Sequence, residues 1–244
     1  MKDIFDISDK KIIITGGNKG NGYEISKGLI AAGAKVLRLD KEFTNVLDSD
    51  DYELDLANEE SIKGFLSMLS AQHQDIYGLI NNAGISYESS NPYEDSKIFE
   101  DVLSINLRSA WILSSQICPL MSKNKKGSII NITSLGAELG FPNNPSYQAS
   151  KGGLRQLTKA MATDWGKAGI RINNICPGYI KTSMTEKSYN NPKLNKERKD
   201  RTILNRWGKS SDLVGAAIFL ISDASSYITG SDIYVDGGWS AKGL

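Results

Sequence analysis

The chain of 244 residues is long enough to bury a full core, and its size fits one α/β domain. Hydrophobic residues make up 40% of it and charged residues 23%, as in ordinary soluble proteins. The formal net charge of +1 gives no broad basic surface, and no apolar run approaches the ~18 residues that span a bilayer. Neither nucleic acid nor a membrane is therefore an expected partner.

The N-terminus lacks the apolar core of a signal peptide. The two cysteines, Cys118 and Cys176, lie in patterned segments and do not suggest a disulfide framework. His73 is the only histidine, which excludes histidine-based metal sites and Ser-His triads. We expect a cytoplasmic chain that forms one domain, 1–244, and needs no metal.

Segments with the pattern of buried strands alternate with segments of helical periodicity. The predicted strands are 10–15, 34–40, 52–56, 77–84, 127–133, 170–176 and 232–238. The predicted helices are 22–33, 58–73, 96–122, 147–168 and 211–221. Because each crossover between parallel strands must pass over one face of the sheet, this order predicts a doubly wound α/β fold with helices on both faces.

A glycine-rich turn, TGGNKGNG at 15–22, joins the first predicted strand to the first helix. Gly16, Gly20 and Gly22 lack a Cβ, which lets the backbone approach a diphosphate and lets the helix pack on the strand. The N-terminus of the helix adds unpaired N–H groups for an anion. Asp40 ends the second strand about 20 residues further on, where a carboxylate binds the ribose of a dinucleotide. The glycine spacing departs from GxGxxG, so the turn alone is a weak signal.

The spacing TGxxxGxG and five later segments together resemble the short-chain dehydrogenase/reductase family. These segments are NNAG at 81–84, SINLRS with Asn106, NITS with Ser134, SYQASK with Tyr147 and Lys151, and PGYIKT at 177–182. They follow the family order along nearly the whole chain. The resemblance implies a Rossmann-type sheet of about seven strands. It also implies hydride transfer between NAD and a secondary alcohol or ketone, and a homotetramer.

The resemblance further implies which residues bind the cofactor. They are Gly16, Asn18, Lys19, Gly20, Asn21, Gly22, Asp40, Asp55, Leu56, Asn82, Ala83, Gly84, Tyr147, Lys151, Pro177, Gly178, Ile180 and Thr182. The Asp40 carboxylate favours NAD over NADP, because it accepts hydrogen bonds from ribose hydroxyls and repels a 2′-phosphate. Lys19, Arg38 and Lys41 are the basic residues that could face a phosphate instead. The segment between Asp40 and Asp55 is too short for a crossover helix and a strand.

Tyr147 and Lys151 are neighbours on one helix face, at positions i and i+4. A free phenol has a pKa near 10, so an accessible phenolate at neutral pH requires about 4 kcal/mol of stabilisation. A cation within about 4–6 Å lowers the pKa of an acid by roughly 1–3 units. We expect Lys151, together with an oxidised nicotinamide, to bring the pKa of Tyr147 toward the working pH.

The resemblance implies a role for each of four catalytic residues. Tyr147 exchanges a proton with the substrate oxygen, and Ser134 hydrogen-bonds that oxygen. Lys151 also binds the nicotinamide ribose, and Asn106 holds a water that links Lys151 to solvent. Taken singly, the Tyr147–Lys151 pair could be a solvated helix pair, Ser134 a strand-end hydroxyl and Asn106 a core residue. The presence of all four together favours catalysis.

The segment 183–205 is polar and weakly patterned, and we interpret it as a substrate lid. Residues 181–206 contain eight basic and three acidic residues, which suits an anionic substrate such as a sugar acid, a nucleotide sugar or an acyl carrier. A solvated, mobile lid is the alternative interpretation. In the facing loop, Glu138, Asn143 and Asn144 suit a polyhydroxylated substrate.

The C-terminal segments NRWGKSSDL and YVDGGWSA resemble those of sugar-acid dehydrogenases within the family. We therefore expect a sugar, sugar acid or polyol as substrate. A 3-oxoacyl-carrier-protein reductase is the alternative enzyme. A catalytically silent NAD-binding regulator is the alternative from another class, because a fold does not fix a function.

Overall fold

The computed structural model describes residues 3–44, 50–73, 75–88, 91–93 and 95–243, and a parallel sheet of seven strands forms the centre of this part of the chain. The strands are β1 Lys11–Thr15, β2 Lys35–Asp40, β3 Asp50–Glu53, β4 Ile76–Asn81, β5 Gly127–Ile132, β6 Ile170–Pro177 and β7 Asp232–Val235. Their order is β3-β2-β1-β4-β5-β6-β7, and every neighbouring pair is parallel. The predicted doubly wound, Rossmann-type sheet is confirmed.

Helices cover both faces of this sheet. They are α1 Gly20–Ala31, α2 Glu59–Gln72, α3 Ser96–Leu103, α4 Ser109–Lys123, α5 Pro145–Trp165, α6 Glu186–Asn190, α7 Pro192–Arg201 and α8 Val214–Ile221. Because successive strand residues point to opposite faces, β1 contributes Ile13 to one core and Ile12 and Ile14 to the other. The first core includes α2, α4 and α5, and the second includes α1 and α8. No helix among the described residues is long and apolar enough to cross a membrane.

A chain of buried polar side chains attaches α5 to the sheet. Asn81 donates to Asn131 (2.8 Å), and Asn131 donates to the Thr158 hydroxyl on α5 (2.7 Å). Thr158 donates to Asn174 (2.6 Å), which donates to Asp232 (2.7 Å). The network crosses β4, β5, β6 and β7 and fixes how α5 lies over them. Buried networks of this kind specify one arrangement, because a displaced member leaves its partners unpaired.

Two predicted elements differ in kind from the observed ones, and others, such as the predicted strand 52–56, which is β3 at Asp50–Glu53, differ in their bounds. The predicted helix 96–122 is two helices joined by a π-helical turn at Ser104–Arg108, where the side chain of Asn106 bonds to the backbone of Ile85. The predicted irregular segment 183–205 contains α6 and α7. The sequence carried a signal for α7, since Asn191 caps its N-terminus and Pro192 is its first residue.

The connection from β2 to β3 is short, as the sequence predicts, and its described residues form no crossover helix. β2 ends at Asp40 and β3 begins at Asp50, and residues 41–44 are not helical; residues 45–49 lie outside the described part. The predicted strands 77–84 and 232–238 end earlier, at Asn81 and Val235. Asn82, Ala83 and Gly84, which follow β4, line a cleft at this edge of the sheet, and Gly237 and Gly238, after β7, have φ of +65° and +83°.

Candidate active site

The glycine loop packs so tightly that its glycines cannot be replaced without movement. Gly16 and Gly20 have φ of +67° and +58°, in the left-handed region that favours glycine. A Cβ on Gly22 would lie 2.0 Å from the carbonyl oxygen of Gly16 and 2.5 Å from Nδ2 of Asn82. α1 begins at Gly20, so its unpaired N–H groups open toward the cleft beside this loop.

Asn82 connects this loop to the end of β4. Its side-chain Nδ2 donates to the carbonyl oxygens of Thr15 (2.9 Å) and Gly16 (3.1 Å). The backbone N–H groups of Asn82 and Ala83 both donate to the Thr15 hydroxyl, each at 3.0 Å. The loop therefore takes its shape from β1 and β4, where the strand order changes direction and a ligand crevice is expected.

A cleft of about 330 Å³ runs from the glycine loop to Asp40. Among the predicted cofactor residues, it is lined by Gly16, Lys19, Gly20, Asn21, Asp40, Asp55, Leu56, Asn82, Ala83, Gly84 and Thr182. Asn18 and Gly22 do not line it. Asn18 is buried and accepts from the N–H of Thr44 (2.9 Å), and its own backbone N–H donates to Asp40 (2.9 Å). Asn18 and Gly22 therefore support the residues that line the cleft and do not line it themselves.

Two of the basic residues near Asp40, Arg38 and Lys41, are held in ion pairs, whereas Lys19 lines the cleft. Arg38 is fully buried and bonds to both carboxylate oxygens of Asp51 (2.7 and 2.6 Å) and to the carbonyl oxygen of Gly17 (3.1 Å). Lys41 pairs with Asp55 at 2.8 Å, and this bond lowers the pKa of the Asp55 carboxyl below its ordinary value. The expectation that Arg38 could face a phosphate is wrong, because its buried guanidinium is already bonded to Asp51 and Gly17 at the edge of the sheet.

Three of the four predicted catalytic residues line one pocket of about 110 Å³, next to the cleft. They are Ser134 after β5, and Tyr147 and Lys151 on α5. The same pocket is lined by Pro177, the last residue of β6, and by Gly178, Ile180 and Thr182, which follow it. The cleft and the pocket share Asn21, Asn82, Gly84 and Thr182, so a ligand can extend from one to the other.

Asn106 lies behind this pocket and does not line it. Its side-chain amide accepts from the N–H of Ile85 (2.8 Å), and donates to the carbonyl oxygen of Ile85 (2.9 Å) and to Ser150 (3.0 Å). A Cβ on Gly84 would lie 3.3 Å from both Oδ1 of Asn106 and Nζ of Lys151. The π-helical turn thus places this amide next to the ammonium.

Burial changes the proton affinity of both α5 residues. Lys151 is 3% exposed, and burial lowers its pKa to about 8. Its ammonium donates to the carbonyl oxygen of Ile132 (2.7 Å) and lies 5.7 Å from the centre of the Tyr147 ring. Burial raises the pKa of Tyr147, and its hydrogen bond with Ser134 offsets part of that increase. In the protein without ligand, the phenol pKa therefore moves opposite to the expected direction.

The loop facing the predicted lid uses two of its three polar residues internally. Glu138 accepts from the Tyr234 hydroxyl and lies 3.6 Å from Arg155. Asn144 is buried, and its amide donates to the Ser86 hydroxyl (2.7 Å). Both side chains are thus bonded to neighbouring residues, while the Glu138 side chain remains half exposed; that they face the substrate stays a prediction. Among the described residues, no group of three or more potential His, Cys, Asp or Glu metal ligands is present.

Sequence reasoning missed a group of rings beside the pocket, which we call the aromatic cluster: Phe141, Tyr179, Tyr189, Trp207 and Trp239. Adjacent ring centroids lie 5.0 to 6.5 Å apart. The five residues come from four parts of the chain: the loop after β5, the residues after β6, the segment around α7 and the residues after β7. Tyr179, Trp207 and Trp239 lie in the segments PGYIKT, NRWGKSSDL and YVDGGWSA, but nothing in the sequence indicated that their rings meet.

Comparisons with known proteins agree with this geometry. A family model described as enoyl-(acyl carrier protein) reductase matches residues 17–240. The 2-dehydro-3-deoxy-D-gluconate 5-dehydrogenase of Formosa agariphila is 36% identical, covering 97% of this chain and 94% of that protein. A gluconate 5-dehydrogenase from Burkholderia cenocepacia in complex with NADP and tartrate is 29% identical, with a TM-score of 0.93 and 99% of both chains covered.

A 4-hydroxyisoleucine dehydrogenase mutant complexed with NADH and succinate is 33% identical, with a TM-score of 0.92 and coverage of 96% of this chain and 100% of that one. The relatives thus share the fold over nearly the whole length, and those with bound cofactor hold NADP or NADH. This chain belongs to the short-chain dehydrogenase/reductase family of NAD(P)-dependent oxidoreductases.

Proposed function

We propose that this protein interconverts a secondary alcohol and a ketone on a sugar acid, with NAD as cofactor. One observation carries the proposal: Ser134, Tyr147 and Lys151 meet in a pocket that continues into the cleft ending at Asp40. The bound nicotinamide supplies the acceptor or donor for the hydride. Relatives whose names specify gluconate or a deoxygluconate support a sugar acid as the other reactant.

In this proposal each side chain acts at one atom. Ser134 donates a hydrogen bond to the reacting oxygen, and the Tyr147 hydroxyl gives or takes the proton there. Lys151 holds the ribose of the cofactor, and Asn106 keeps the backbone of Ile85 beside that ammonium. The wall formed by Pro177, Gly178, Ile180 and Thr182 supports the nicotinamide end, and the glycine loop supports the diphosphate.

A substrate screen tests the reaction class. Purified protein is incubated with NAD and sugar acids, polyols and 3-hydroxyacyl thioesters while the formation of NADH is followed. We expect sugar acids to give the highest kcat/KM. Preference for the thioester would instead indicate the 3-oxoacyl-carrier-protein reductase, an alternative that the gluconate-type relatives do not favour.

The silent-regulator alternative is tested by Tyr147→Phe. Loss of the hydroxyl should reduce kcat by roughly 10²- to 10⁴-fold, which is the contribution of a general acid or base. NADH binding, followed by nicotinamide fluorescence, should be unchanged. Equal activity of the variant and the wild type would contradict the assignment of Tyr147. A wild type inactive on the whole panel would favour the regulator.

The choice of NAD over NADP rests on the charges beside the ribose end of the cleft. Asp40 uses its two oxygens for the backbone N–H groups of Asn18 and Lys41 and still has acceptor capacity. Arg38 is paired with Asp51, so a 2′-phosphate would lie near the Asp40 carboxylate and would gain no ion pair with the Arg38 guanidinium. One solved relative holds NADP and another NADH, so the preference varies in this family.

The kcat/KM ratio for NAD and NADP tests this choice directly. We expect NAD to be preferred by at least about tenfold, since a repelled phosphate loses about 1.4 kcal/mol or more. Asp40→Ser should shift the ratio toward NADP, whereas Glu42→Gln, an exposed neighbour, should not. A tenfold preference of the wild type for NADP would contradict the proposal.

Three organisational proposals accompany this function. The chain acts as one domain in which 183–205 covers the substrate, and it is cytoplasmic. It assembles as a homotetramer through apolar faces of α3 and α4, where Phe99 and Trp111 are 39% and 52% exposed. Light scattering should give four times the 26.7 kDa chain mass, and Trp111→Glu should reduce it.

A further inference from the structure

Two arginines of α7 lie against the aromatic cluster. The guanidinium carbon of Arg198 is 4.6 Å from the centre of the Tyr179 ring, and that of Arg201 is 5.6 Å from the Trp239 ring. An arginine stacked on an aromatic face is held in one orientation, so less conformational freedom is lost when it binds a ligand. Of the two, Arg198 is the more buried and Arg201 is exposed.

Arg198 also has an unused hydrogen-bond donor. Its Nε is buried, and within the part of the chain that the structure describes no acceptor bonds to it. Two other basic residues of this segment are paired: Arg206 bonds to both carboxylate oxygens of Asp212, and Lys196 pairs with Asp200. A buried N–H group without an acceptor is rare in folded proteins, and here it shows that no carboxylate or carbonyl group of the described residues satisfies this donor of the Arg198 guanidinium.

The position of Tyr179 connects Arg198 to the reaction centre. Tyr179 directly follows Gly178, which lines the pocket with Ser134 and Tyr147. Burial is the main cause of the raised pKa of Tyr147, and Tyr179 makes a smaller contribution to it. Arg198 in turn opposes the increase that burial causes in the pKa of Tyr179.

A cleft of about 410 Å³ lies between the loop after β5 and α7. Phe141 forms one wall, and Gln148, one residue after Tyr147, fixes it by bonding to its backbone N–H and carbonyl groups (both 2.6 Å). Arg198 and Arg201 form the other wall, together with Glu197, which is exposed. The charged residues of the cleft therefore leave a net positive charge.

We propose that Arg198 binds the carboxylate of the substrate, with the Tyr179 ring fixing the plane of its guanidinium. The planar fork of arginine matches the two oxygens of a carboxylate, and a charge-assisted pair of this kind is among the strong hydrogen bonds. This inference rests on the proposed function and adds the group that selects an acid over an uncharged alcohol. A polyol and a thioester lack the carboxylate and gain nothing from Arg198.

The test compares Arg198→Gln, Arg198→Lys and the wild type on D-gluconate and on the uncharged polyol D-glucitol. Arg198→Gln should raise KM for gluconate roughly 10- to 100-fold, the range for hydrogen bonds to charged groups, while kcat changes less. Arg198→Lys keeps the charge without the fork and should give an intermediate KM. Lys199→Gln removes the same charge from an exposed neighbour on α7 and should leave KM unchanged.

Two further measurements make the result independent of glucitol turnover and of folding. The inhibition constant of tartrate should rise in Arg198→Gln as KM for gluconate does, and the Kd of NADH should stay constant. An unchanged KM and tartrate constant in Arg198→Gln, with a wild type active on gluconate, overturns the Arg198 assignment and leaves the proposed function standing. A wild type that oxidises polyols or thioesters and no sugar acid overturns both.

Discussion

Replacing Lys151 by methionine should stabilise the cofactor-free protein while abolishing its activity. Lys151 is 3% exposed and donates to the carbonyl oxygen of Ile132. Burial lowers its pKa from the ordinary 10.5 to about 8. A charged side chain is therefore kept in a position that disfavours its charge, as is typical of functional sites. The position thus lowers the stability of the protein.

The magnitude follows from the linkage between pKa and stability. At about 1.4 kcal/mol for each pKa unit, the lowered pKa reduces the free energy of unfolding by about 3 kcal/mol at pH 7. Methionine removes that effect but leaves the Ile132 carbonyl group without its donor, at a cost of about 1 kcal/mol. Lys151→Met should therefore raise the free energy of unfolding by about 2 kcal/mol at pH 7.

The pH dependence of this gain has a definite sign. Because the pKa of Lys151 is lower in the folded state, the unfolded chain binds its proton more readily between about pH 8 and 10.5. The destabilisation is complete below pH 8 and disappears as the pH rises to 10.5. The advantage of the methionine variant should shrink over the same range.

Urea unfolding without cofactor, at one protein concentration and at pH 7 and pH 10, measures both effects. Lys159→Met, an exposed change on the same helix, is the matched control and should alter stability by less than about 0.5 kcal/mol. A Lys151→Met protein less stable than the wild type at pH 7 would refute the reasoning. So would a gain that grows with pH.

Two further substitutions test the loop and the buried network. Gly22→Ala places a Cβ 2.0 Å from the Gly16 carbonyl oxygen, so the Kd of NADH should rise at least roughly tenfold. The control, Gly140→Ala, adds a Cβ that meets no atom within 4 Å and should leave the Kd unchanged. Unchanged NADH binding in Gly22→Ala would contradict the loop geometry. Thr158→Val leaves one buried atom of each of two asparagine amides, Nδ2 of Asn131 and Oδ1 of Asn174, without the Thr158 hydroxyl. It should lower the free energy of unfolding in urea by about 1–3 kcal/mol, against little change for the exposed Thr163→Val. A Thr158→Val protein as stable as the wild type would mean that the network does not hold α5.

The sequence was most informative where function depends on local geometry. The glycine turn, Asp40 after β2 and the Tyr147–Lys151 spacing each need only a strand end or one helical turn to come into place. The alternation of strands and helices then brings the carboxyl ends of β1, β4, β5 and β6 to one edge of the sheet. The meeting of these residues in one site could therefore be predicted from the order of strands and helices, and no long-range contact had to be predicted.

Features that depend on packing between distant segments could not be predicted in this way. The pairing of Arg38 with Asp51 follows from the register of β2 against β3, which sets those two residues side by side. The contact of Arg198 with Tyr179 requires α7 to fold back over the end of β6. Charge counting over 181–206 indicated an anion site but could not distinguish the stacked arginines from those in ion pairs.

The proton affinities in the pocket show why spacing alone does not establish chemistry. The i, i+4 pattern predicted that Lys151 would lower the pKa of Tyr147, yet burial acts on both groups and favours the neutral form of each. Before any ligand binds, Tyr147 is thus a protonated hydroxyl beside an ammonium that loses its proton near pH 8. That state suits proton donation to a ketone. Alcohol oxidation requires the phenol pKa to fall on binding, so kcat for oxidation should increase with pH more steeply than kcat for reduction.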